Sequence, residues 1–265
     1  MSGDAIRFAQ LDWRGRPRRL EYRWVGEAAT KRPPVVFLHE GLGSVAMWKD
    51  FPERFCTDHG QRGLVFSRYG YGRSTPRPPD ERWVADYMHA QAHEVLPLLF
   101  DALRIERPWL FGHSDGGSIA LLHAARFDVA GIVVVAPHLF VEDVSIASIR
   151  QARDAYATTD LRARLARHHA DPDSAFRGWN DVWLDPAFRG WNIEAELDRI
   201  ACPVLAVQGE DDAYGSLAQI RGIQGRLPKT RLLVIPKCGH SPHRDQPALL
   251  AAEAGRFIHE HSTSP

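Results

Sequence analysis

Cysteine is scarce in this chain, and its three copies are far apart, at Cys56, Cys202 and Cys238. An odd number of widely spaced cysteines does not form the disulfide framework that stabilises small secreted domains. We therefore expect a protein that is held together by its core in a reducing compartment, the cytoplasm.

An excess of one charge is also missing. Lysine plus arginine number 33, as do aspartate plus glutamate, so the formal net charge at pH 7 is zero. Nucleic acids and anionic membrane surfaces attract proteins with a basic excess. Neither is expected as a partner.

Long apolar runs are absent as well. The longest, residues 131–136, is far shorter than the roughly 20 residues that span a bilayer. Residues 1–7 lack the basic and apolar regions of a secretory signal. The chain has 265 residues, of which 44% are hydrophobic, and is therefore long enough to bury one large core.

Short apolar segments alternate along the chain with segments of helical periodicity. The predicted strands are residues 35–39, 63–67, 108–111, 131–136, 203–208 and 231–235, after a hairpin over 5–25. The predicted helices are residues 45–58, 84–104 with a kink at Pro97, 115–126, 214–226 and 246–260. This alternation predicts an α/β fold: a mostly parallel twisted sheet, flanked by helices, that binds ligands at the carboxyl ends of its strands.

The alternation stops over residues 137–200, where no strand is evident and arginine and tryptophan are frequent. The pentapeptide Phe-Arg-Gly-Trp-Asn occurs there twice, at 176–180 and 188–192, and we interpret it as two similar turns. We expect this segment to form a helical lid inserted after the sixth strand. The core domain would then consist of residues 1–136 and 201–265.

The candidate nucleophile is Ser114, at the centre of Gly112-His113-Ser114-Asp115-Gly116, between a predicted strand and a predicted helix. A chain that passes so abruptly from strand to helix strains the serine, and the two glycines let the arms approach closely because they lack a Cβ. The hydroxyl then projects at the carboxyl end of the sheet. The N–H groups that open the helix face developing negative charge.

A serine hydroxyl is a weak nucleophile until a base removes its proton. The candidate base is His240, which lies just after the last predicted strand, at its carboxyl end. His243 is the alternative base, although a support for the loop or the start of the last helix explains it better.

Five segments in the same order resemble the α/β-hydrolase-fold serine hydrolases, in particular their esterase and meta-cleavage-product hydrolase branch. They are His39 with residues 41–44, residues 68–74, residues 112–117, residues 209–212, and Gly239 with His240. A single Gly-x-Ser-x-Gly motif is weak evidence, but five segments in order, each at a strand end, are strong evidence. The resemblance covers nearly the whole chain and implies the α/β-hydrolase fold, with a nucleophile, an acid and a base and without a cofactor.

In that family the acid lies between the serine and the histidine in chain order, a place that Asp212 occupies directly after a predicted strand. Its carboxylate would select the tautomer of His240 and stabilise the imidazolium. Other carboxylates remain open as alternatives: Glu210, Asp211, Glu142 and Asp143.

The resemblance also implies two backbone N–H donors for the oxyanion, each worth on the order of 3 kcal/mol. One belongs to Asp115, which follows the nucleophile, and the other to Gly41, in the loop after the strand at 35–39. The usual glycine after the first-loop histidine is Glu40 here. Its carboxylate either points away from the site or influences the choice of substrate.

The candidate substrate-binding residues are Glu40, His113, His138, Trp179, Trp183 and Trp191. The histidines could equally be satisfied core residues, and the tryptophans could be either the lid's own core or an apolar wall over the pocket. His168 and His169 are adjacent and have no carboxylate or cysteine at the spacing of a zinc site. No metal is therefore expected.

The sequence predicts a serine hydrolase that cleaves a small carboxylic ester with an apolar part through an acyl-enzyme intermediate. One alternative is hydrolysis of a C–C bond in a diketone from aromatic ring cleavage, by the same residues. Another is a hydrolase fold that only binds a ligand. The identity of the substrate depends on how residues 137–200 fold, and the oligomeric state stays open.

Overall fold

The structure, a computed structural model, describes residues 5–262 of the chain. In that range eight strands form one sheet in the spatial order β1-β2-β4-β3-β5-β6-β7-β8. Their bounds are Arg7–Trp13 (β1), Arg16–Gly26 (β2), Val35–Leu38 (β3), Arg62–Phe66 (β4), Trp109–His113 (β5), Gly131–Val135 (β6), Val204–Gly209 (β7) and Arg231–Ile235 (β8).

The direction of the strands matches the prediction of a mostly parallel sheet. β2 pairs antiparallel with β1, as the predicted hairpin requires, and also with β4, and the remaining neighbours are all parallel. The central strands β3, β5 and β6 are buried along their whole length. Their uninterrupted apolar runs are typical of parallel strands that are covered on both faces.

The described residues form ten α-helices. Their bounds are Phe51–Asp58 (α1), Tyr87–Ala90 (α2), Leu96–Leu103 (α3), Asp115–Ala124 (α4), Asp143–Thr158 (α5), Leu161–Leu165 (α6), Pro172–Leu184 (α7), Ala218–Arg226 (α8), Pro242–Asp245 (α9) and Pro247–Ser262 (α10). Short 3-10 helices span Ala46–Trp48, Pro186–Gly190 and Glu194–Arg199. No helix in this range is both long and apolar enough to cross a membrane.

The helix predicted over residues 84–104 is divided. A π-helical turn, Gln91–Val95, separates α2 from α3, which begins immediately before Pro97. Proline has no N–H to donate to the carbonyl four residues earlier, so the regular ladder is interrupted there. The kink predicted at Pro97 therefore takes the form of a wider turn that precedes the proline.

The core lies in two layers because alternate residues of each strand face opposite sides of the sheet. On one side, side chains such as Val36, Leu110 and Val134 pack with α3, α4 and the segment over residues 137–200. On the other side, Phe37 and Phe111 pack with the helices α1 and α10. The two layers hold the carboxyl ends of the strands at one edge.

Residues 137–200 contain α5, α6, α7 and two of the 3-10 helices, with one isolated bridge between Phe140 and Asn192. The two pentapeptides are not similar turns, so that prediction is wrong. The first lies inside α7, whose N-terminus is capped by Asp171, and the second runs from a 3-10 helix into the bridge. The tertiary surroundings, rather than the pentapeptide sequence itself, determine each conformation.

Replacement of Phe111 by alanine should strongly destabilise the fold. Its ring is fully buried and lies within 5.3–6.2 Å, between ring centroids, of Phe37, Trp48, Phe51 and Phe55. Truncation of such a side chain leaves a cavity and costs about 3–5 kcal/mol in the free energy of unfolding. Urea denaturation measures this cost.

The matched control is Val84→Ala, because Val84 is 62% exposed. This variant should change the free energy of unfolding by less than about 0.5 kcal/mol. A loss at Phe111 no larger than that of the control would show that the second layer of the core is not packed as described.

Candidate active site

Ser114 occupies a strained turn between β5 and α4, with φ 53° and ψ −120°. A positive φ is uncommon for residues other than glycine and is found where neighbouring structure enforces it. A Cβ at Gly112 would overlap the carbonyl of Gly116, and a Cβ at Gly116 would overlap that of Leu38. The two glycines are therefore needed for the close approach of strand and helix.

Three side chains from the ends of β5, β7 and β8 meet at this turn. The Oγ of Ser114 lies 3.0 Å from Nε2 of His240, and Nδ1 of His240 lies 2.9 Å from both carboxylate oxygens of Asp212. The Asp212 side chain is 1% exposed and that of His240 is 17% exposed. The structure thus brings together all three residues that the sequence singled out.

The hydrogen bonds decide which nitrogen of His240 can act as a base. Because a carboxylate only accepts, Nδ1 carries the hydrogen that points to Asp212, and Nε2 is free to receive the hydroxyl proton of Ser114. Burial raises the pKa of Asp212, but the hydrogen bond from His240 and the N–H of Tyr214 outweigh it, and the pKa lies below its usual value. The carboxylate therefore stays ionised.

Gln208 is part of this arrangement and was missed in the sequence. It lies in β7, is 1% exposed, and donates from Nε2 to Asp212 Oδ2 and to the carbonyl of Gly215. A polar side chain at the end of an otherwise apolar buried strand is the signal that could have identified it.

The carboxylates that the sequence left open as alternative acids either have other partners or are exposed. Glu142 accepts hydrogen bonds from Ser216 and Gln219, and Asp143 is paired with Arg189. Glu210 and Asp211 are both exposed.

The alternative base, His243, is buried against Trp48 and Phe51, with ring centroids 4.9 and 5.9 Å away. Neither of its ring nitrogens has a hydrogen-bonding partner among the described residues. His240 is the histidine that contacts Ser114. The neighbouring Cys238 is buried, which raises the pKa of its thiol to about 11 and keeps the thiol protonated at neutral pH.

Three hydrogen-bond donors hold the peptide group that joins Glu40 to Gly41. The carbonyl of Glu40 accepts hydrogen bonds from His39 Nδ1 at 2.7 Å, from Arg68 Nη2 at 2.9 Å and from the N–H of Gly43 at 3.1 Å. In a planar trans peptide the N–H points opposite to the carbonyl. The N–H of Gly41 is therefore directed away from these three donors.

The two candidate oxyanion donors have no competing acceptor. Within residues 5–262, neither the N–H of Gly41 nor that of Asp115 donates a hydrogen bond to another group. The indole of Trp179 packs directly on Gly41, where a Cβ would overlap it. A side chain at position 41 would thus displace Trp179.

The turn between β5 and α4 that contains the candidate nucleophile Ser114 is called the nucleophile turn. The Asp115 carboxylate connects this turn to α2 and α7. It accepts from Tyr87 Oη at 2.7 Å and from Trp183 Nε1 at 3.3 Å, and it lies 3.6 Å from Arg68 Nη2, with both charged side chains 1% exposed. Burial raises the pKa of Asp115, an effect that Arg68 and Tyr87 oppose. Sequence reasoning assigned a backbone N–H to Asp115 as an oxyanion donor, and it missed these side-chain partners.

Other residues predicted to bind substrate lie at different depths. His138 is 2% exposed, with its ring centroid 4.9 Å from Trp183 and 6.2 Å from His240, and burial followed by the charge of His240 lowers its pKa to about 3. Trp191 stacks on Phe188 at 5.3 Å and lies farther out, 6.5 Å from Trp183.

Glu40 and His113 are neighbours, and His113 also contacts the backbone of His240. Nδ1 of His113 is 3.6 Å from Glu40 Oε2, and Nε2 donates to the backbone carbonyl of His240 at 2.7 Å. The other Glu40 oxygen lies 3.7 Å from Arg244.

No cluster of three or more histidine, cysteine or acidic side chains able to hold a metal ion occurs in residues 5–262. His169 instead accepts from the N–H of Gly72 at 3.0 Å and donates to the carbonyl of Leu42 at 3.0 Å. This histidine joins the segment after α6 to the loops at the site.

The buried pair of Arg68 and Asp115 should be strongly coupled. Arg68→Met leaves the Asp115 carboxylate buried without a cation, which costs about 3–5 kcal/mol in the free energy of unfolding. In the double variant Arg68→Met/Asp115→Leu the loss should be smaller than the sum of the two single losses, because no charge is left unpaired. Urea denaturation of the four proteins measures the coupling.

Arg226→Met is the control, since Arg226 and Asp198 form an exposed pair at 3.1 Å. Its cost should stay below about 1 kcal/mol. Additive losses at Arg68 and Asp115, within about 0.5 kcal/mol, would contradict the description of a coupled buried pair.

Comparison with known proteins places this geometry in a family. A model described as alpha/beta hydrolase family matches residues 35–253. The putative carbamate hydrolase RutD of Caulobacter sp. (strain K31) is 30% identical over 239 residues, which cover 81% of this chain and 86% of the relative. Human serine hydrolase BPHL is 27% identical over 188 residues, 66% of this chain but only 61% of that protein.

Two solved structures share the fold along almost the whole chain. A thermophilic esterase from Thermogutta terrifontis has a TM-score of 0.75 at 18% identity, covering 97% of this chain and 100% of the esterase. A meta-cleavage product hydrolase from Pseudomonas fluorescens IP01 has a TM-score of 0.70 at 20% identity, covering 95% and 97%. With its family match over residues 35–253, its mostly parallel sheet and its Gly-x-Ser-x-Gly turn, the chain belongs to the alpha/beta hydrolase family.

Proposed function

We propose that this protein is a serine hydrolase that cleaves a small carboxylic ester. The observation that carries the proposal is the continuous chain of hydrogen bonds from Ser114 through His240 to Asp212, at 3.0 and 2.9 Å. The putative carbamate hydrolase RutD of Caulobacter, which matches 81% of this chain, is named as a hydrolase, and this supports hydrolysis as the reaction class.

In the proposed reaction Ser114 attacks the ester carbonyl while His240 takes its proton, and Asp212 stabilises the imidazolium that forms. The N–H groups of Gly41 and Asp115 stabilise the oxyanion. His240 then gives its proton to the leaving alcohol. Water activated by the same histidine releases the acid from the acyl-enzyme. The steps need neither a metal nor an organic cofactor.

We propose residues 137–200 as a lid over the core formed by residues 1–136 and 201–265. Trp179 packs on Gly41, and Trp183 donates to the Asp115 carboxylate, so both indoles contact residues that supply the proposed oxyanion donors. These rings would form an apolar wall, and their closeness to Gly41 favours a small acyl group. Trp191, which packs on Phe188, belongs to the lid's own core in this proposal.

The proposed setting is a reducing cytoplasm, with a small molecule as the partner and neither nucleic acid nor membrane. The three cysteines are unpaired, and burial raises the pKa of the Cys56 thiol to about 12. C–C bond hydrolysis and ligand binding without turnover remain the competing functions. A panel of short-chain esters, a carbamate and a ring-cleavage dienoate separates them by the substrate that is turned over.

Ser114→Ala should abolish turnover of a p-nitrophenyl ester, because no other hydroxyl is hydrogen-bonded to His240 in the described structure. Loss of a nucleophile of this kind lowers kcat by about 10⁶-fold in well-studied serine hydrolases. The absorbance of released p-nitrophenol measures the turnover, and circular dichroism checks that the variant is folded.

The control is Ser148→Ala, whose hydroxyl donates to the carbonyl of Ala213 on the protein surface. It should retain wild-type kcat. Turnover by the Ser114 variant at a comparable rate would remove Ser114 from the mechanism.

The pH dependence should show a loss of activity on the acid side that follows one ionisation. Protonated His240 cannot take the serine proton, so kcat/KM falls as that ring gains its proton. Asp212 does not cause this loss, because its pKa is depressed below the usual value and its carboxylate persists until lower pH. Initial rates between pH 4 and 9 measure the profile, and constant activity down to pH 4 would contradict a histidine base.

A further inference from the structure

A groove of about 750 Å³ lies between β2 and the residues that follow α6, and we call it the cationic groove. Arg19 and Arg23 line it from β2, and Arg167 lines it from the segment after α6. Lys49, which follows the first 3-10 helix, and Arg73, in the loop after β4, line the same groove. Five cationic side chains from four separate parts of the chain therefore surround one cavity.

Carboxylates do not balance these cations. Arg23 is 3.7 Å from Glu53, but within residues 5–262 the other four cations form no ion pair. The one carboxylate in the described lining, Glu21, is buried, and it accepts from the Ser67 hydroxyl at 2.7 Å and from the N–H of Arg73 at 2.8 Å. The groove thus has a local excess of positive charge in a protein whose formal net charge is zero.

The ring of His168 lies in the electrostatic field of this groove. It lines the same cavity and is partly buried. Burial, followed by the charges of Arg167, Arg244 and Lys49, lowers the pKa of His168 below its usual value. A concave surface that disfavours a further positive charge in this way attracts anions and raises their local concentration.

The two sides of the groove are already joined by hydrogen bonds. The ring of His169 accepts from the N–H of Gly72 at 3.0 Å and donates to the carbonyl of Leu42 at 3.0 Å. The N–H of Ala170 donates to the carbonyl of Gly72 at 2.7 Å. These bonds hold Arg167 at the groove before any ligand arrives, so binding requires little ordering of the backbone.

The chemistry of the lining favours a ligand with several phosphate charges. The planar guanidinium of arginine donates to phosphate oxygens in pairs, and the lysine ammonium binds phosphate as a point charge. A single carboxylate would leave most of the unpaired cations without a partner. The volume of the groove is in the range of sites for small organic molecules. Ile6, Phe8, Val45 and Ala46 supply apolar surface beside the cations for the rest of such a molecule.

We propose that the cationic groove binds a small molecule that carries at least two phosphate groups, and that Lys49, Arg73 and Arg167 contact the phosphates. Lys49 and Arg73 precede β5, whereas Arg167 follows α6, so the ligand connects distant parts of the fold. The site uses none of the residues proposed for ester cleavage. It therefore stands or falls independently of the proposed function.

Isothermal titration calorimetry with sodium pyrophosphate, at pH 8 and constant ionic strength, tests the site. The wild type should bind one pyrophosphate per chain. The triple variant Lys49→Gln/Arg73→Gln/Arg167→Gln should bind at least about tenfold more weakly, because it lacks the charged donors that contact the phosphates. No measurable binding to the wild type would overturn the proposal.

The matched control is Arg126→Gln/Arg221→Gln/Lys229→Gln, which removes the same charge from exposed residues outside the groove. Its affinity should stay within about twofold of the wild type, because salt screens charges that are far from the ligand. Circular dichroism should show both triple variants folded, since all six replaced residues are exposed. Equal losses of affinity in the two variants, or several pyrophosphates bound per chain, would indicate only diffuse attraction and would overturn the proposal.

Hydrogen exchange read by mass spectrometry locates the bound anion. Saturating pyrophosphate should slow exchange in peptides over residues 45–50 and 161–170 of the wild type and the control, but not of the groove variant. Protection confined to other peptides would overturn the proposal. Vesicles of phosphatidylglycerol should not sediment the protein at the same ionic strength. Sedimentation that pyrophosphate does not reverse would assign the groove to a lipid surface and would overturn the small-molecule ligand.

Discussion

The hydrogen bond between Ser114 and His240 is the interaction on which the site depends, and it joins parts of the chain that are distant in sequence. The sheet makes it possible: β5 delivers the serine, β8 delivers the histidine, and β7, between β6 and β8, delivers Asp212. Parallel strands end at the same edge, so the loops after them converge there. The bond also requires a strained serine, with φ 53°, which costs about 1–3 kcal/mol and persists only because the surroundings enforce it.

Buried polar contacts hold the parts of this edge in place. Three donors converge on the carbonyl of Glu40, Asp115 accepts from Tyr87 and Trp183, and Asp212 accepts from Gln208 as well as His240. In a medium of low dielectric such dipoles act strongly and need no reorganisation when charge develops. The same contacts tie residues 137–200 to the nucleophile turn through Trp183. Residues 137–200 and the turn at Ser114 are therefore coupled, and a change in one is expected to alter the other.

The strands and the nucleophile turn could be predicted because their signals are local. An uninterrupted apolar run such as 131–136 identifies a buried strand, and the glycines around Ser114 follow from a clash that any side chain would cause. The side-chain contacts of Asp115 and Glu40 were not readable, because their partners come from loops and helices whose packing no short pattern encodes. The repeated pentapeptide shows the same limit: identical letters form part of α7 in one place and a 3-10 turn in the other. Local signals therefore revealed the strained turn at Ser114, and tertiary packing supplied its support.

A covalent adduct on the nucleophile tests the central claim most directly. The wild-type protein would be treated with a fluorophosphonate, digested, and mapped by mass spectrometry, with acid-inactivated protein treated in parallel. The account predicts one modified peptide in the native protein, with the added mass on Ser114, and none after inactivation. Modification spread over several serines, or absence of any adduct on Ser114 in folded protein, would contradict an activated hydroxyl at this turn.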